Sequence, residues 1–318
     1  MTVEYGLWHT IRYSDASWQG SFGSVDSMES NPIHAFSDAA CAATGSQLQA
    51  VAVGPGGQLY HTVRNANGTW QPFFGHVEGI VAGAPGPFSQ VCCAGFGSDF
   101  HVVALDPNGQ LWHTVRHGDG SWQPTFVPVP FGPTAPGGFL AASAVHGDDE
   151  LVVAAVGSDG WIYTNAREDS DASWSTFSIV AGQPNDGGPH ADVAIARLGT
   201  DYHVVAVSQG GFLFHSLFHS VWPLGWQGFW GSIQGVEANA PEPFSAVDCG
   251  FVGNDLHVAA VGDGGQLWHT IRYPDTSWQS SFGWVNGQEA NGNVVFTAVG
   301  AAAFASELHV VGLAWQHD

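Results

Sequence analysis

The residues with the most chemical potential recur together in a six-residue signature. It reads Leu, aromatic, His, Thr, Ile or Val, and Arg at residues 7–12, 59–64, 111–116 and 267–272. An aromatic ring can receive the apolar face of a sugar ring, and imidazole and guanidinium groups can donate hydrogen bonds to hydroxyls. The signature therefore predicts a site for a hydroxyl-rich ligand.

Tryptophans mark the repeat that must position this signature. Six of them follow one another at intervals of 52 residues, namely Trp18, Trp70, Trp122, Trp174, Trp226 and Trp278. Six such copies account for nearly all of the 318 residues. Each copy holds four short segments separated by turn signals, and no stretch has sustained helical periodicity. This pattern predicts an all-β fold, a six-bladed β-propeller with four antiparallel strands per blade, as a single domain over residues 1–318.

The copy that begins at residue 244 illustrates the predicted blade. Its first strand covers 244–249 and its second 256–261. An Asp-Gly-Gly turn follows, and the third strand covers 266–272. Trp278 is then expected to open a fourth strand that runs to Val285.

The two ends of the chain carry complementary parts of one blade. The chain begins with a third and a fourth strand, at 7–13 and 18–25, and ends with a first and a second, at 295–303 and 308–313. We therefore expect the N-terminal strands to join the last blade and close the ring, which leaves no open sheet edge.

Strand alternation sorts the signature onto two faces. The aromatic residue, Thr and Arg share one face, and Leu, His and Ile or Val share the other. Both faces of a blade pack against neighbouring blades, so the first set is expected to converge on a groove between blades. The candidate ligand-binding residues are Trp8, His9, Arg12, Trp18, Tyr60, His61, Arg64, Trp70, Trp112, His113, Arg116, Trp122, Trp268, His269, Arg272 and Trp278.

The same residues also have structural interpretations. Arg12 and Trp18 flank one hairpin loop and could form a cation–π pair, and Asp15 in that loop could bridge the Arg. The histidines could simply pack in the core. Two copies depart from the signature, since 214–218 lacks the Arg and 163–167 lacks the His, so four complete sites are expected. No spacing predicts a catalytic residue, a metal ligand or a cofactor.

Composition restricts the partners. The formal net charge is −22, the chain has no Lys, and its six basic residues are all Arg. A nucleic-acid ligand requires a basic surface, and an anionic membrane would repel this chain. No apolar run approaches the ~20 residues of a membrane span. Residues 1–8 lack the features of a signal peptide, which predicts a cytoplasmic protein or one released by a non-classical route. The sequence leaves the oligomeric state open, and a homo-oligomer is one of the alternatives.

Three of the four cysteines, Cys41, Cys93 and Cys249, fall at one position of the repeat. The other copies have Ala144, Ile195 and Gly300 there. A position that accepts these side chains is predicted to be a packing site near the axis, with core thiols. Whether any pair forms a disulfide depends on geometry that the sequence leaves open.

The signature, followed by Ser or Thr and then Trp-Gln, resembles the tectonin-type propeller lectins over essentially the whole chain. It is also similar to the fucose-binding propeller lectins of the Photorhabdus type, which have seven blades, so the six-bladed tectonins are the better match. The resemblance implies a multivalent lectin for fucosylated or O-methylated glycans, with pockets between adjacent blades. Its implied pocket walls are Trp8, Tyr60, Trp112 and Trp268 with Trp18, Trp70, Trp122 and Trp278.

Two other functions are weighed against a lectin. A sialidase-like glycoside hydrolase is also six-bladed, and 119–122 is faintly similar to an Asp-box turn, but it is one residue too short. A sialidase gathers its arginines at one site, whereas here Arg is expected once per blade. A protein-interaction scaffold is the other alternative, although the GH…WD signature of WD40 repeats is missing from the sequence.

Overall fold

The chain forms a ring of six four-stranded antiparallel sheets, so the predicted propeller is confirmed. The computed structural model describes residues 5–31, 33–83, 85–133, 135–182, 188–220, 225–239, 241 and 243–316. The first strands of successive blades contact one another all the way around the axis. Strands are numbered β1 to β25 in chain order, and blade 1 is the blade that begins with the first strand after the N-terminal pair.

Each blade begins at the axis and ends at the rim. The first strands are β3 (Asp38–Thr44), β7 (Gln90–Phe96), β11 (Phe139–His146), β15 (His190–Leu198), β20 (Phe244–Val252) and β24 (Val294–Phe304). The second strands are β4 (Gln47–Val53), β8 (Asp99–Leu105), β12 (Glu150–Gly157), β16 (Asp201–Ser208), β21 (Asp255–Gly262) and β25 (Glu307–Gln316).

The outer two strands of each blade carry the signature and the repeated Trp. The third strands are β1 (Gly6–Arg12), β5 (Leu59–Arg64), β9 (Leu111–Arg116), β13 (Ile162–Glu168), β17 (Leu213–His219) and β22 (Leu267–Arg272). The fourth strands are β2 (Gly23–Ser24), β6 (Gly75–His76), β10 (Val127–Pro128), β14 (Ser178–Ile179), β18 (Gly225–Trp226) with β19 (Gly231–Ser232), and β23 (Gly283–Trp284).

Helical structure in the described residues is limited to three single 3₁₀ turns, Asp26–Met28, Pro55–Gly57 and Asn286–Gln288. Within those same residues, no helix has the length and apolar character needed to cross a bilayer.

Blade 6 is assembled from both ends of the chain, as the sequence predicts. Its strand order is β2-β1-β25-β24. Seven consecutive residue pairs join β1 to β25, from Gly6 opposite Ala314 to Arg12 opposite Leu308. The backbone hydrogen bonds of this ladder therefore close the ring.

The fourth strands are much shorter than the sequence predicts. Trp278 makes only an isolated bridge to Arg272, and the fourth strand of blade 5 is confined to Gly283–Trp284. The side-chain amide of Gln279 donates to the backbone carbonyl of Ser281. The carbonyl of Ser280 accepts from the N–H of Ala238 at 3.0 Å. The backbone N–H of Gln279 still donates to Ile271 of the third strand, but residues 280–282 do not pair with that strand, so the continuous strand expected to Val285 is wrong.

The predicted packing position of the cysteines faces the central channel, which Cys41, Cys93 and Cys249 border. All four thiols, including that of Cys92, are free and buried. One assignment at this position is wrong. Cys249 pairs with Val258, and the equivalent pair in blade 6 is Ala301 with Val310, one residue beyond Gly300. A Cβ on Gly300 would lie 2.9 Å from the Cα of Ala40, so close packing of blades 6 and 1 excludes a side chain there.

Carboxyl groups on the first strands tie neighbouring blades together at the axis. Asp38 of blade 1 accepts from the N–H of Val91 of blade 2 at 2.7 Å, and Asp248 of blade 5 accepts from Ala301 of blade 6 at 2.6 Å. Asp192 plays the same part between blades 4 and 5. Burial raises the pKa of Asp38 to about 8 and those of Asp192 and Asp248 to about 7.

Candidate functional site: the clefts between blades

The face of each third strand that carries the aromatic residue, Thr and Arg points at the preceding blade. In blade 6, the hydroxyl of Thr10 donates to Glu289, which lies in the connection that leaves blade 5. Trp18 packs edge-on against His269 of blade 5, with ring centroids 5.4 Å apart and planes at 80°. The predicted alternation is thus observed, and this cleft combines Trp, Thr and Arg of one blade with His of the preceding one.

Four clefts contain this full set and are called the consensus clefts. They lie between blades 4 and 5, 5 and 6, 6 and 1, and 1 and 2. The edge-on contact between a His and the Trp of the next blade has centroid distances of 5.4–5.7 Å, in His215–Trp278, His269–Trp18, His9–Trp70 and His61–Trp122. The third-strand His therefore holds the fourth-strand Trp of the following blade in place.

The histidines themselves are paired inside their blades. Nε2 of His9 lies 3.0 Å from Nδ1 of His309, and the same pairing joins His101 to His113, His203 to His215 and His257 to His269 at 3.0–3.1 Å. In blade 1, His61 bonds instead to Oε1 of Gln49 at 2.6 Å.

Burial lowers the pKa of His61 to about 3 and that of His269 well below its ordinary value. The four predicted ligand-binding histidines, His9, His61, His113 and His269, are between 1% and 4% exposed. Each is neutral and engaged within the protein, which places it beneath the cleft as a support for the Trp ring.

The guanidinium groups of these clefts lie near the histidines of the preceding blade, since the charge of each Arg helps to lower the pKa of a histidine there. Arg12, Arg64, Arg116 and Arg272 are half-buried, and partial burial lowers the pKa of each. Among the described residues, none of the four has a carboxylate oxygen within 4.0 Å. The Arg–Asp bridge considered from the sequence is not formed, because Asp15 accepts instead from the N–H and hydroxyl of Ser17 in its own turn, at 3.0 and 2.6 Å.

The two aromatic residues implied as one pocket wall are separated along the strand. Trp8 lies opposite Ser24, whereas Trp18 lies opposite Arg12. Trp8 and Arg12 are four residues apart on one face, about 13 Å at ~3.3 Å per residue. The fourth-strand Trp therefore joins the Arg, while Trp8 stands at the other end, where its indole N–H donates to Ala314 at 3.0 Å.

A carboxylate that the sequence interpretation missed lies in three of the consensus clefts. Glu29, Glu237 and Glu289 stand at equivalent positions in the connections between blades, and they accept from the hydroxyls of Thr62, Thr270 and Thr10. Burial raises the pKa of Glu237 and Glu289 to about 7, and the second oxygen of all three is buried without a protein partner. Their spacing in multiples of 52 residues was the available signal.

The fourth consensus cleft lacks this carboxylate. Val81 occupies the position of Glu29 one repeat later, and the buried hydroxyl of Thr114 has no partner among the residues that the structure describes.

One sequence argument about arginine is wrong. Arg197 is not on a third strand but on β15, and its guanidinium makes two bonds to the carboxylate of Asp148, at 3.0 and 2.6 Å. Blade 4 has Phe218 at the Arg position of its third strand, opposite Tyr202. In the described part of the chain, no three His, Cys, Asp or Glu side chains are arranged to hold a metal ion.

Comparison with known proteins shows that the fold of this chain is similar to the folds of several solved structures. No known protein-family profile matches the chain. No curated protein sequence matches it either. The solved structure of BP39L lectin from Burkholderia pseudomallei is similar with a TM-score of 0.57 and 19% identity, over 90% of this chain and 80% of that one. A mutant of Aleuria aurantia lectin in complex with Fucα1-6GlcNAc has a TM-score of 0.57 and 18% identity, over 86% of this chain and 85% of that one.

A glycosidase has the same fold. Trypanosoma rangeli sialidase in complex with the inhibitor DANA has a TM-score of 0.57 and 10% identity, over 95% of this chain but 57% of the sialidase. At these identities the likeness establishes the six-bladed propeller, which lectins and sialidases share. Function has to be argued from the clefts.

Proposed function

We propose that the protein is a multivalent lectin that binds fucosylated or O-methylated glycans at its four consensus clefts. The observation that carries the proposal is the repeated pair of a half-buried guanidinium without a carboxylate partner and an indole fixed beside it. The guanidinium offers hydrogen-bond donors to sugar hydroxyls, and the indole offers an apolar face. The lectins with the same fold include proteins described as fucose-specific, which supports this choice of sugar.

The site energetics favour many weak contacts over one strong contact. Each net hydrogen bond contributes only about 1 kcal/mol, so a single cleft is expected to bind a monosaccharide weakly. Linked sites can raise the apparent affinity by about 10²–10⁴ without any new contact. Four similar clefts spread around one ring suit a surface that presents many copies of a glycan.

A glycan array tests this proposal. Labelled protein is applied to fucosides, O-methylated sugars and sialosides, and the array is repeated with Arg12→Ala, Arg116→Ala and Arg272→Ala, singly and combined. We expect binding to fucosylated or O-methylated glycans and a stepwise loss of avidity as the substitutions accumulate. Arg167→Ala is the matched control, since Arg167 lies on the third strand of blade 3, outside the four consensus clefts, and its guanidinium is 3.9 Å from the carboxylate of Asp169.

The alternatives give different results in the same experiment. A blank array with folded protein would reject the lectin and favour a protein-interaction scaffold. Loss of all binding on removal of one Arg would reject equivalent sites. Hydrolysis of a fluorogenic sialoside by the wild-type protein would show that the propeller is an enzyme of the sialidase class.

A further inference from the structure

The cleft between blades 3 and 4, called the divergent cleft, contains a half-open cavity of about 230 Å³. On blade 3 it is bordered by Val152, Thr164 and Ala166, and on blade 4 by Phe218 and Trp226. It is the interface at which the sequence signature is least complete.

The cavity arises because blade 3 has small residues where the other blades have large ones. Asn165 pairs with Val153 just as Thr270 pairs with Val258, so Thr164 occupies the position of His269. By the same register, Val152 occupies the position of His257 and Ala166 that of Ile271. Both histidines of the buried pair and one β-branched residue are therefore replaced by smaller side chains. Ser175 follows Trp174 where the other copies have Gln, which removes further volume.

Blade 4 supplies an aromatic wall in place of the Arg of the consensus clefts. Phe218 and Trp226 meet with centroids 5.3 Å apart at 64°, and Tyr202 and Phe218 with centroids 6.3 Å apart at 49°. All three rings border the cavity. A wall of three rings can receive the apolar face of a ligand ring.

The polar residues that line the cavity carry neutral hydroxyls, the carboxamide of Asn165 and one carboxylate. The hydroxyl of Tyr202 donates to Glu150 at 2.7 Å, and the hydroxyls of Thr164 and Ser178 also border the space. No Arg borders the cavity. The adjoining mouth contains Asp149 and Glu168, and its one guanidinium, Arg197, is neutralised by Asp148.

We infer that the divergent cleft is a separate binding site for one uncharged pyranose ring, stacked on the aromatic wall and hydrogen-bonded by the hydroxyls and Glu150. The cavity is smaller than the ~300–1,000 Å³ of pockets for drug-sized ligands, which suits one sugar unit. Its carboxylates repel a carboxylated sugar, whereas the consensus clefts present a cation. The ligand class rests on the proposed function, but the site does not depend on the four consensus clefts.

The test follows the indole N–H of Trp226 by NMR of ¹⁵N-labelled protein, with the signal assigned by its loss in Trp226→Phe. The methyl glycosides of fucose, galactose, glucose and mannose are titrated to roughly 50 mM, above the millimolar dissociation constants expected of a single weak site. We expect at least one to shift the Trp226 signal and N-acetylneuraminic acid to leave it unchanged. Ala166→Ile, which places the residue of blades 5 and 6 at this position, should weaken the shift at least tenfold.

Val115→Ile is the matched control, because it enlarges the equivalent position of blade 2 and should leave the Trp226 titration unchanged. If Ala166→Ile proves unfolded, Phe218→Arg places the consensus residue in the wall and should abolish the shift. No response of Trp226 to any of the four glycosides, with a positive glycan array, would overturn this site and leave the lectin standing. A Trp226 response that persists when the array is blank would support the divergent site and reject the lectin proposed at the consensus clefts.

Discussion

The consensus clefts and the divergent cleft are built on the same backbone and differ in a few side chains. In the consensus clefts, a buried His supports a Trp. A half-buried guanidinium without a carboxylate partner belongs to the Arg that lies opposite this Trp. In the divergent cleft, Val152, Thr164 and Ala166 leave a space, and Phe218 replaces the cation. The repeated residues therefore hold the blades together, and a half-open cavity forms between blades 3 and 4, where the repeated residues are replaced.

Both kinds of cleft depend on the closed ring, so its opening should have the largest effect. Deletion of residues 1–26 removes β1 and β2 and exposes the whole edge of β25. We expect the truncated protein to unfold or to oligomerise through that edge. Light scattering and thermal melting would show this, and a monomer that still melts cooperatively would contradict it.

The equivalent tryptophans of the two cleft types should differ in their contribution to stability. Trp18→Ala removes a ring packed on His269, and we expect a loss of about 3–5 kcal/mol in the free energy of unfolding. Trp226→Ala should cost less, about 1–3 kcal/mol, because part of its surface already borders a cavity. Urea unfolding measures both, and equal losses would show that the divergent cleft is as tightly packed as the others.

The divergent cleft can be converted into a consensus cleft. The double variant Val152→His and Thr164→His restores the His pair, and we expect it to fill the cavity and abolish the Trp226 response to sugars. A buried His pair keeps its imidazoles neutral, as burial does when it lowers the pKa of His257 to about 4.

The double variant should also gain acid sensitivity. Below the ordinary His pKa of ~6.5, the histidines bind protons in the unfolded chain but stay neutral in the folded chain. The free energy of unfolding therefore decreases as the pH falls from ~6.5 towards 4. The loss should exceed that of the wild type between pH 6.5 and 4.5 in thermal melts. Parallel pH profiles would mean that the new histidines remain exposed.

The smallest contrast lies among the consensus clefts themselves. Thr62→Val removes the donor to the buried Glu29, and we expect a loss of about 1–3 kcal/mol. Thr114→Val removes a hydroxyl that has no partner, so the free energy of unfolding should stay unchanged or rise slightly. Similar losses in both variants, measured by urea unfolding, would indicate a partner for Thr114.

The sequence predicts the ring well because the relevant signals are periodic. The 52-residue spacing determines the blade number, and the phase of the terminal strands predicts how blade 6 closes. The length of the fourth strand was less accessible, because bonds such as Ala238 to Ser280 join residues far apart in sequence. The assignment of Gly300 failed by one residue, since register depends on the partner strand.

The sites were harder to predict, for two physical reasons. Trp8 and Trp18 belong to the same copy and face, but only the pairing register reveals their separation. In blade 3, Arg167 and Trp174 are one residue further apart than Arg116 and Trp122. A fixed interval of 52 therefore aligns Asn165 with His113, although the signature itself already shows that the copy at 163–167 lacks the His. The cavity is also hard to predict because it depends on how the small residues of blade 3 pack against blade 4, and the repeat pattern does not describe that packing.

The carboxyl groups at the axis make assembly of the ring an event that takes up protons. Asp38, Asp192 and Asp248 have pKa values of about 8, 7 and 7 in the folded ring, against an ordinary value near 4 in the open chain. At neutral pH, each must therefore gain much of a proton as the blades come together. The stability that these groups contribute is fully present below pH ~4 and is lost as the pH rises through 7 to 8. Alkaline solution would then loosen the propeller from its centre, where each of these carboxyls bridges two blades.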